Sequence, residues 1–373
     1  SHHWFVGDGL AHGLRLKDGR AVWYRNRWIR SNKVSAVLGE EPKPGHRNPR
    51  SDTANTNIVG IADRTFALVE AGGKPVELDF DLDTVAHNPF DGSLKNSFSA
   101  HPHFDPATGE AHAICYEPTN PNAVWHTVLD KNGQVTREEP IPVQDGPSVH
   151  DCQITKNYVL VFDLPAIFSK KRFLAGYDFP YEWNPSHPAR LGLLPRNGSA
   201  ADIIWCAIED PCYVYHPANA FETEDGQVVV DVVVHESSYA ESAHGPGGAW
   251  ARFERWTAAP IHQTVTRKIL HDVPQEFPRY DERRTCEPYR YAYTIELEKR
   301  GPNAGERLFK HDLYKGTTIA RHLGDKKHPG EFVFVPRHSQ AAEDEGWLIG
   351  PQRKHEIGRK TLVLDLDETL VHS

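Results

Sequence analysis

Three histidines lie in settings that suit metal chemistry. His101 lies in Ser97-Phe98-Ser99-Ala100-His101-Pro102-His103 and His150 in Gly146-Pro147-Ser148-Val149-His150-Asp151. His216 lies in Tyr213-Val214-Tyr215-His216-Pro217-Ala218-Asn219. Neutral imidazole is a good ligand for iron, copper, zinc and nickel. Each of the three stands at the edge of a predicted strand, where inward-pointing side chains of a propeller converge on its axis. They are far apart in sequence, so spacing alone does not establish convergence. The chain has 22 histidines, and a lone histidine is far more often packed or exposed than a ligand. A second chemistry is written at the C-terminal end. The apolar run Thr361 to Leu364 feeds into Asp365-Leu366-Asp367-Glu368-Thr369. Two carboxylates one residue apart at a strand end suit phosphoryl transfer: one attacks phosphorus and the other protonates the leaving group.

The elements that must position these groups read as strands. Short runs rich in β-branched and aromatic residues recur, such as Ala21 to Tyr24, Tyr158 to Phe162, Gln227 to Val234, Tyr291 to Leu297 and Glu331 to Val335. Between runs stand Asp18-Gly19, Asn132-Gly133 and Asp225-Gly226, residues that tolerate the positive φ of tight hairpin turns. Long amphipathic helical stretches are missing, and Glu40 to Asp52 and Asp178 to Gly198 read as proline-rich loops. Many short strands with hairpin punctuation predict a sandwich, barrel or propeller. Length favours the propeller, since seven four-stranded blades need about 300 residues. No linker is evident before about Leu348. After Gly350 the sequence turns polar and basic at Pro351-Gln352-Arg353-Lys354-His355, which divides the chain into a body, 1–350, and a tail, 351–373.

Composition narrows the function classes. The 373 residues are 39% hydrophobic and 25% charged, with a net charge of −9, the balance of a globular chain. No basic tract is interleaved with aromatics, which argues against nucleic acid. No apolar run is long enough to cross a bilayer, and the first residues do not open a signal peptide. A peripheral contact with membrane is compatible with scattered apolar loops. The five cysteines include no C-x-x-C pair, so reduced thiols and a cytoplasmic setting are expected. There is no methionine, which reads as a fragment or an engineered sequence. Gly7-Asp8-Gly9 is a lone Gly-x-Gly without a following helix and carries no nucleotide site.

Longer motifs add a resemblance. "HWFVGDGLAHGLRL", "SFSAHPHFDPATGE", "SVHDCQITKNYVLVFDLP", "YVYHPANAFE", "EFPRYDERR" and "HPGEFVFVPRHSQAAEDEGWLIG" resemble, in order, the carotenoid cleavage oxygenases, a group that includes lignostilbene dioxygenases and the retinoid isomerase. The resemblance covers residues 3 to 350. It implies an all-β, seven-bladed β-propeller, incomplete at both ends, with a non-haem Fe(II) held by four histidines. By motif, His101, His150 and His216 match three of those ligands. Glu70 in "ALVEAGG", Glu276 in "QEFPRY" and Glu331 in "PGEFVF" match glutamates that hydrogen-bond ligand histidines. A carboxylate on the far N–H of an imidazole fixes its tautomer and strengthens it as a ligand. No catalytic side chain beyond the metal centre is implied. His103 and Asp105 have a His-x-Asp spacing, but in this context Asp105 belongs to the turn "DPATGE" and His103 is not a ligand.

The implied reaction adds O₂, the co-substrate, across a conjugated C=C bond of a carotenoid, apocarotenoid or stilbene-like molecule to give two carbonyl products. The partner is then a small apolar conjugated substrate, and no obligate protein partner is evident. The fourth ligand is not found: of His338, His355 and His372, the first matches a non-ligand position and the others lie in the tail. The stretch Asp365, Asp367 and Thr369 resembles the DxDxT motif of haloacid-dehalogenase-type phosphatases, without that family's downstream lysine and carboxylates. The competing functions are a propeller that has lost its metal and a phosphatase fragment acting through Asp365 and Asp367.

Overall fold

The computed structural model describes residues 5–18, 20–245, 247–248, 250–298, 304–356 and 359–363. Strands dominate them. The two α-helices among these residues, Asn32–Leu38 and Lys170–Leu174, are short, and none is long and apolar enough to cross a membrane. All five cysteines are free thiols, four of them buried. The chain divides into two compact units: residues 1–151, 167–182 and 243–245, and residues 152–166, 183–242 and 246–373.

The first unit holds two four-stranded antiparallel meanders and a hairpin. The hairpin pairs Leu10–Lys17 with Arg20–Trp28. One meander runs Asn57–Ile61, Arg64–Leu68, Val76–Leu78, Thr84–His87, and the other His103–Phe104, Ala111–Cys115, Ala123–Leu129, Val135–Pro142. Phe66, Leu68, Phe90, Phe98, Ala113 and Leu129 pack into one core between them. Asn132-Gly133 forms the expected tight turn, with Gly133 at φ 75°, a conformation that costs glycine little.

The second unit repeats the same antiparallel sheet. Gln153–Ile154, Tyr158–Asp163, Arg190–Pro195 and Ile204–Ala207 form one set of four, and Tyr213–Glu222, Val228–His235, Ala251–Ala259 and Thr264–His271 form the next. A single parallel pair, Ala207 with Thr264, joins them. A third set is Gln275–Tyr280, Tyr291–Leu297, Ala304–Asp312 and Thr317–His322. Last come a two-stranded pair, Val333–Pro336 with Gly346–Ile349, and a three-stranded sheet. In that sheet Gln352–Glu356 pairs with Lys327–Pro329 on one side and Arg359–Val363 on the other. The start of the predicted tail is therefore laddered onto residues of the body.

Two readings need correction. Asp178 to Gly198 is not a plain loop, because it contains Arg190–Pro195, a strand buried at its centre. Its Gly192 faces the ring of Trp205 so closely that a Cβ would collide with it, which explains a glycine inside a strand. The strand predicted over Glu331 to Val335 begins only at Val333. The run Val228–His235 is buried throughout. Its one acid, Asp231, is fully buried and held by Arg255 at 2.8 Å and by the Tyr289 hydroxyl at 2.7 Å, since a charge in such a strand must be paired.

Candidate metal centre

In the first unit His150 is 5% exposed and its Nδ1 lies 2.8 Å from Oε1 of Glu70, itself buried. A carboxylate oxygen only accepts. The Nδ1 therefore carries the proton, and the lone pair is on Nε2, the tautomer suited to binding a metal. Glu70 follows the strand Arg64–Leu68 and is held from its other side: Oε2 accepts from the Tyr116 hydroxyl at 2.9 Å, which accepts from Ser148 Oγ at 3.1 Å. His101 comes from the segment before His103–Phe104, where its backbone N–H donates to Ser99 Oγ at 3.1 Å. Its ring centroid is 4.7 Å from that of His150. The unit thus brings His101, His150 and Glu70 together.

The two residues of the His-x-Asp alternative have separate hydrogen-bond partners in the same unit. His103 Nε2 lies 2.7 Å from Asp151 Oδ1. Asp105 caps a turn: its Oδ1 accepts from Ala107 N–H at 2.8 Å, and its backbone oxygen accepts from Gly109 N–H at 2.8 Å. A cavity of about 560 Å³ has Phe5, Phe173, Phe179, Arg50 and Glu70 in its wall, and the Phe5 ring lies 6.2 Å from that of His150. The Arg50 guanidinium lies 4.3 Å above the Phe173 ring.

In the second unit two β-bulges do the positioning. In the strand Tyr213–Glu222, Val214 pairs with Val234 and Pro217 with Val232, so Tyr215 and His216 both oppose Val233. In Gln275–Tyr280, Glu276 pairs with Ile295 and Arg279 with Tyr293, so Phe277 and Pro278 both oppose Thr294. Phe277 accordingly sits at φ 52°, a strained value for an aromatic residue. Bulges re-aim side chains out of the regular alternation, and here they place His216 Nδ1 2.8 Å from Oε2 of Glu276. The same carboxylate accepts at Oε1 from His235 Nε2 at 2.8 Å, and at Oε2 from the Phe277 N–H. Glu276 is 5% exposed. Burial by itself would raise its pKa, but the His216 and His235 rings overcome that and hold it below the usual carboxylate range.

His235 was missed by sequence reasoning. The available signal was a histidine closing an eight-residue apolar strand. Glu331 is placed differently from its two counterparts. It is half-buried, and its Oε1 is 2.5 Å from Arg279 Nη2. His338 is on the surface, 57% exposed, with Nε2 4.0 Å from Glu345. Asp365, Asp367, Thr369 and His372 lie outside the described residues, as does the His355 side chain.

The comparisons with known proteins agree across most of the chain. The family described as retinal pigment epithelial membrane protein matches residues 1–367, a span that includes Asp365 and Asp367. A carotenoid cleavage oxygenase of Mycobacterium tuberculosis is 38% identical over 94% of this chain and 80% of its own length. Among solved structures, lignostilbene dioxygenase of Pseudomonas brassicacearum superposes with a TM-score of 0.82 at 26% identity, covering 95% of this chain and 80% of that one. Cobalt-substituted apocarotenoid oxygenase of Synechocystis gives 0.82 at 26% identity over 94% and 80%. The all-β architecture is the seven-bladed propeller of these oxygenases.

Proposed function

The chain belongs to the carotenoid cleavage oxygenase family, and on that premise we propose that it is a non-haem Fe(II)-dependent dioxygenase. It cleaves one conjugated C=C bond of a carotenoid, apocarotenoid or stilbene-like substrate. His101, His150 and His216 hold the iron, and Glu70 and Glu276 orient two of them. The observation that carries this reading is repeated once in each unit: an imidazole Nδ1 rests on a buried glutamate at 2.8 Å. Both rings then offer Nε2 as a neutral donor, and neutral imidazoles suit Fe(II). The two carboxylates offset the charge that neutral ligands leave uncompensated.

When bound, Fe(II) supplies the electron chemistry that lets O₂ react with a closed-shell alkene. One O₂ and one C=C bond give two C=O bonds, so no proton has to be moved by the protein. The chain's own tasks are to hold the imidazoles in one tautomer, to keep the site dry and to orient the substrate. The cavity beside Glu70 suits the last task, because Phe5, Phe173 and Phe179 line it with aromatic surface for a conjugated system. The five free thiols support a reducing, cytoplasmic setting.

The test is anaerobic Fe(II) loading of the purified chain, with iron counted per protein, beside His150→Ala and His216→Ala. About one iron bound by the parent and lost in both variants supports the site. A stilbene and an apocarotenoid are then offered with ¹⁸O₂, and both product carbonyls should carry label. A parent that binds no iron is a propeller without its metal, and the dioxygenase reading fails.

A further inference from the structure

We propose that His235 is a positioning residue that fixes the carboxylate of Glu276 and, through it, the orientation of His216. This inference rests on the metal-centre reading above and extends it by one residue.

The argument starts from the strands. His235 ends Val228–His235, between Tyr213 on one side and Ala251 on the other. Glu276 stands on a different strand, just before the bulge at Phe277. A glutamate has three side-chain torsions and reaches His216 with one oxygen only. Oε2 accepts from His216 Nδ1 and from the Phe277 N–H, and the second of these comes from the glutamate's own neighbour. Oε1 accepts from His235 Nε2 at 2.8 Å. That bond comes from another strand, so it locks the terminal torsion against a fixed frame. Without it, Oε1 of a nearly fully buried carboxylate loses its imidazole donor, and a buried acceptor seeks another. Rotation to find one would carry Oε2 away from His216.

His235 is itself held. The ring of Tyr215 meets it edge-on, centroids 5.0 Å apart at 85°, and the Tyr215 hydroxyl is hydrogen-bonded to Ser238. Tyr215 immediately precedes His216, so the bulge that aims His216 at Glu276 also packs its neighbour against His235. A single extra residue in the ladder thus organises both sides of the carboxylate.

The experiment separates the N–H donor from the ring. His235→Phe keeps a ring against Tyr215 and removes the donor. His235→Gln removes the ring and keeps an N–H at the same reach. Fe(II) dissociation constants are measured anaerobically for both, beside the parent and His216→Ala, with urea midpoints of the metal-free proteins. Losing an outer hydrogen-bond partner weakens metal binding by about 10-fold or more, so His235→Phe should raise the Kd about 10-fold. His235→Gln should stay within about threefold of the parent. A role in packing alone gives the reverse order, and that result overturns the proposal. If His216→Ala weakens binding while His235→Phe does not, only this inference falls. If His216→Ala also binds iron as the parent does, the metal-centre reading falls first.

Discussion

Gln275 and Glu276 are neighbours on one strand, and each serves a pair of histidines on its own side. Glu276 accepts from His216 and His235 at 2.8 Å each. Gln275 donates to His271 Nδ1 at 3.0 Å, and its oxygen accepts from the Thr294 hydroxyl at 2.8 Å, which is 2.9 Å from His311 Nε2. Both side chains are buried, and strand alternation sends them opposite ways. The difference is one of charge. On the glutamate side a full negative charge receives two imidazole N–H groups and favours a metal behind them. On the glutamine side the rings hydrogen-bond only to neutral groups, and burial drives the pKa of His311 down to about 3. His271 is lowered as well, by burial first and Arg307 second. Two histidine pairs served from one strand therefore differ in kind: one meets a buried carboxylate, the other is core.

The most damaging way to test that contrast is to charge the neutral side. Gln275→Glu would place carboxylate oxygen where an amide N–H₂ now donates to the carbonyls of His271 and Val273. An uncompensated buried charge costs about 3–5 kcal/mol. The loss should be largest near pH 8 and shrink in acid as the carboxyl takes up a proton. Urea unfolding at both pH values measures it, and a variant as stable as the parent at pH 8 would mean this side tolerates charge. The reciprocal change, Glu276→Gln, neutralises the other side. Its amide can accept from only one of the two imidazoles and turns a donor towards the other. Fe(II) affinity should fall about 10–100-fold, read by the same anaerobic titration. Unchanged affinity would show that the charge on Glu276 is irrelevant to the site.

How much of this contrast was legible in the sequence follows from what each level of structure writes there. Strands such as Val228–His235 and Tyr291–Leu297 were legible because burial demands continuous apolar runs. Glu70 and Glu276 were singled out as histidine partners through their motifs, and each does meet a histidine ring. The bulges were not legible. A one-residue insertion in a ladder leaves composition unchanged, and Phe277 at φ 52° carries none of the glycine that usually marks positive φ. His235 was hidden for a related reason: its partner is 41 residues away, and only strand register brings them together. Glu331 was matched by the same kind of motif, yet Arg279 takes its carboxylate. Sequence gave the residue type and not which cation or imidazole would reach it.

A smaller effect, on pH, separates the glutamine side from the glutamate side. The folded pKa of His311 lies below its ordinary value of 6.5. As pH falls below 6.5, the unfolded chain takes the proton first, so stability declines from pH 6.5 towards about 3 and is complete above that window. The slope of stability with pH should be shallower in His311→Gln between pH 7 and 5, even if that variant is less stable at pH 8 through weakened contacts with Thr294 and Thr318. Parallel slopes in parent and variant would assign the acid loss to other groups and remove the electrostatic half of the comparison.

The smallest effect comes from the counterpart of His235 in the first unit. Tyr116 does for Glu70 what His235 does for Glu276, but with a hydroxyl, and in a different setting. Glu70 lines the cavity of about 560 Å³, so water can replace a lost donor there at little cost. Tyr116→Phe removes two hydrogen bonds, the one given to Glu70 and the one taken from Ser148, a loss of about 1–3 kcal/mol in stability. The contact of His150 with Oε1 is untouched, so Fe(II) affinity should change less than about threefold, against the larger loss expected for His235→Phe. If the two variants weaken iron equally, then the carboxylate beside the cavity and Glu276 depend alike on their second donor. The nearby cavity, not the identity of the donor, would then have been the wrong variable on which to separate Glu70 from Glu276.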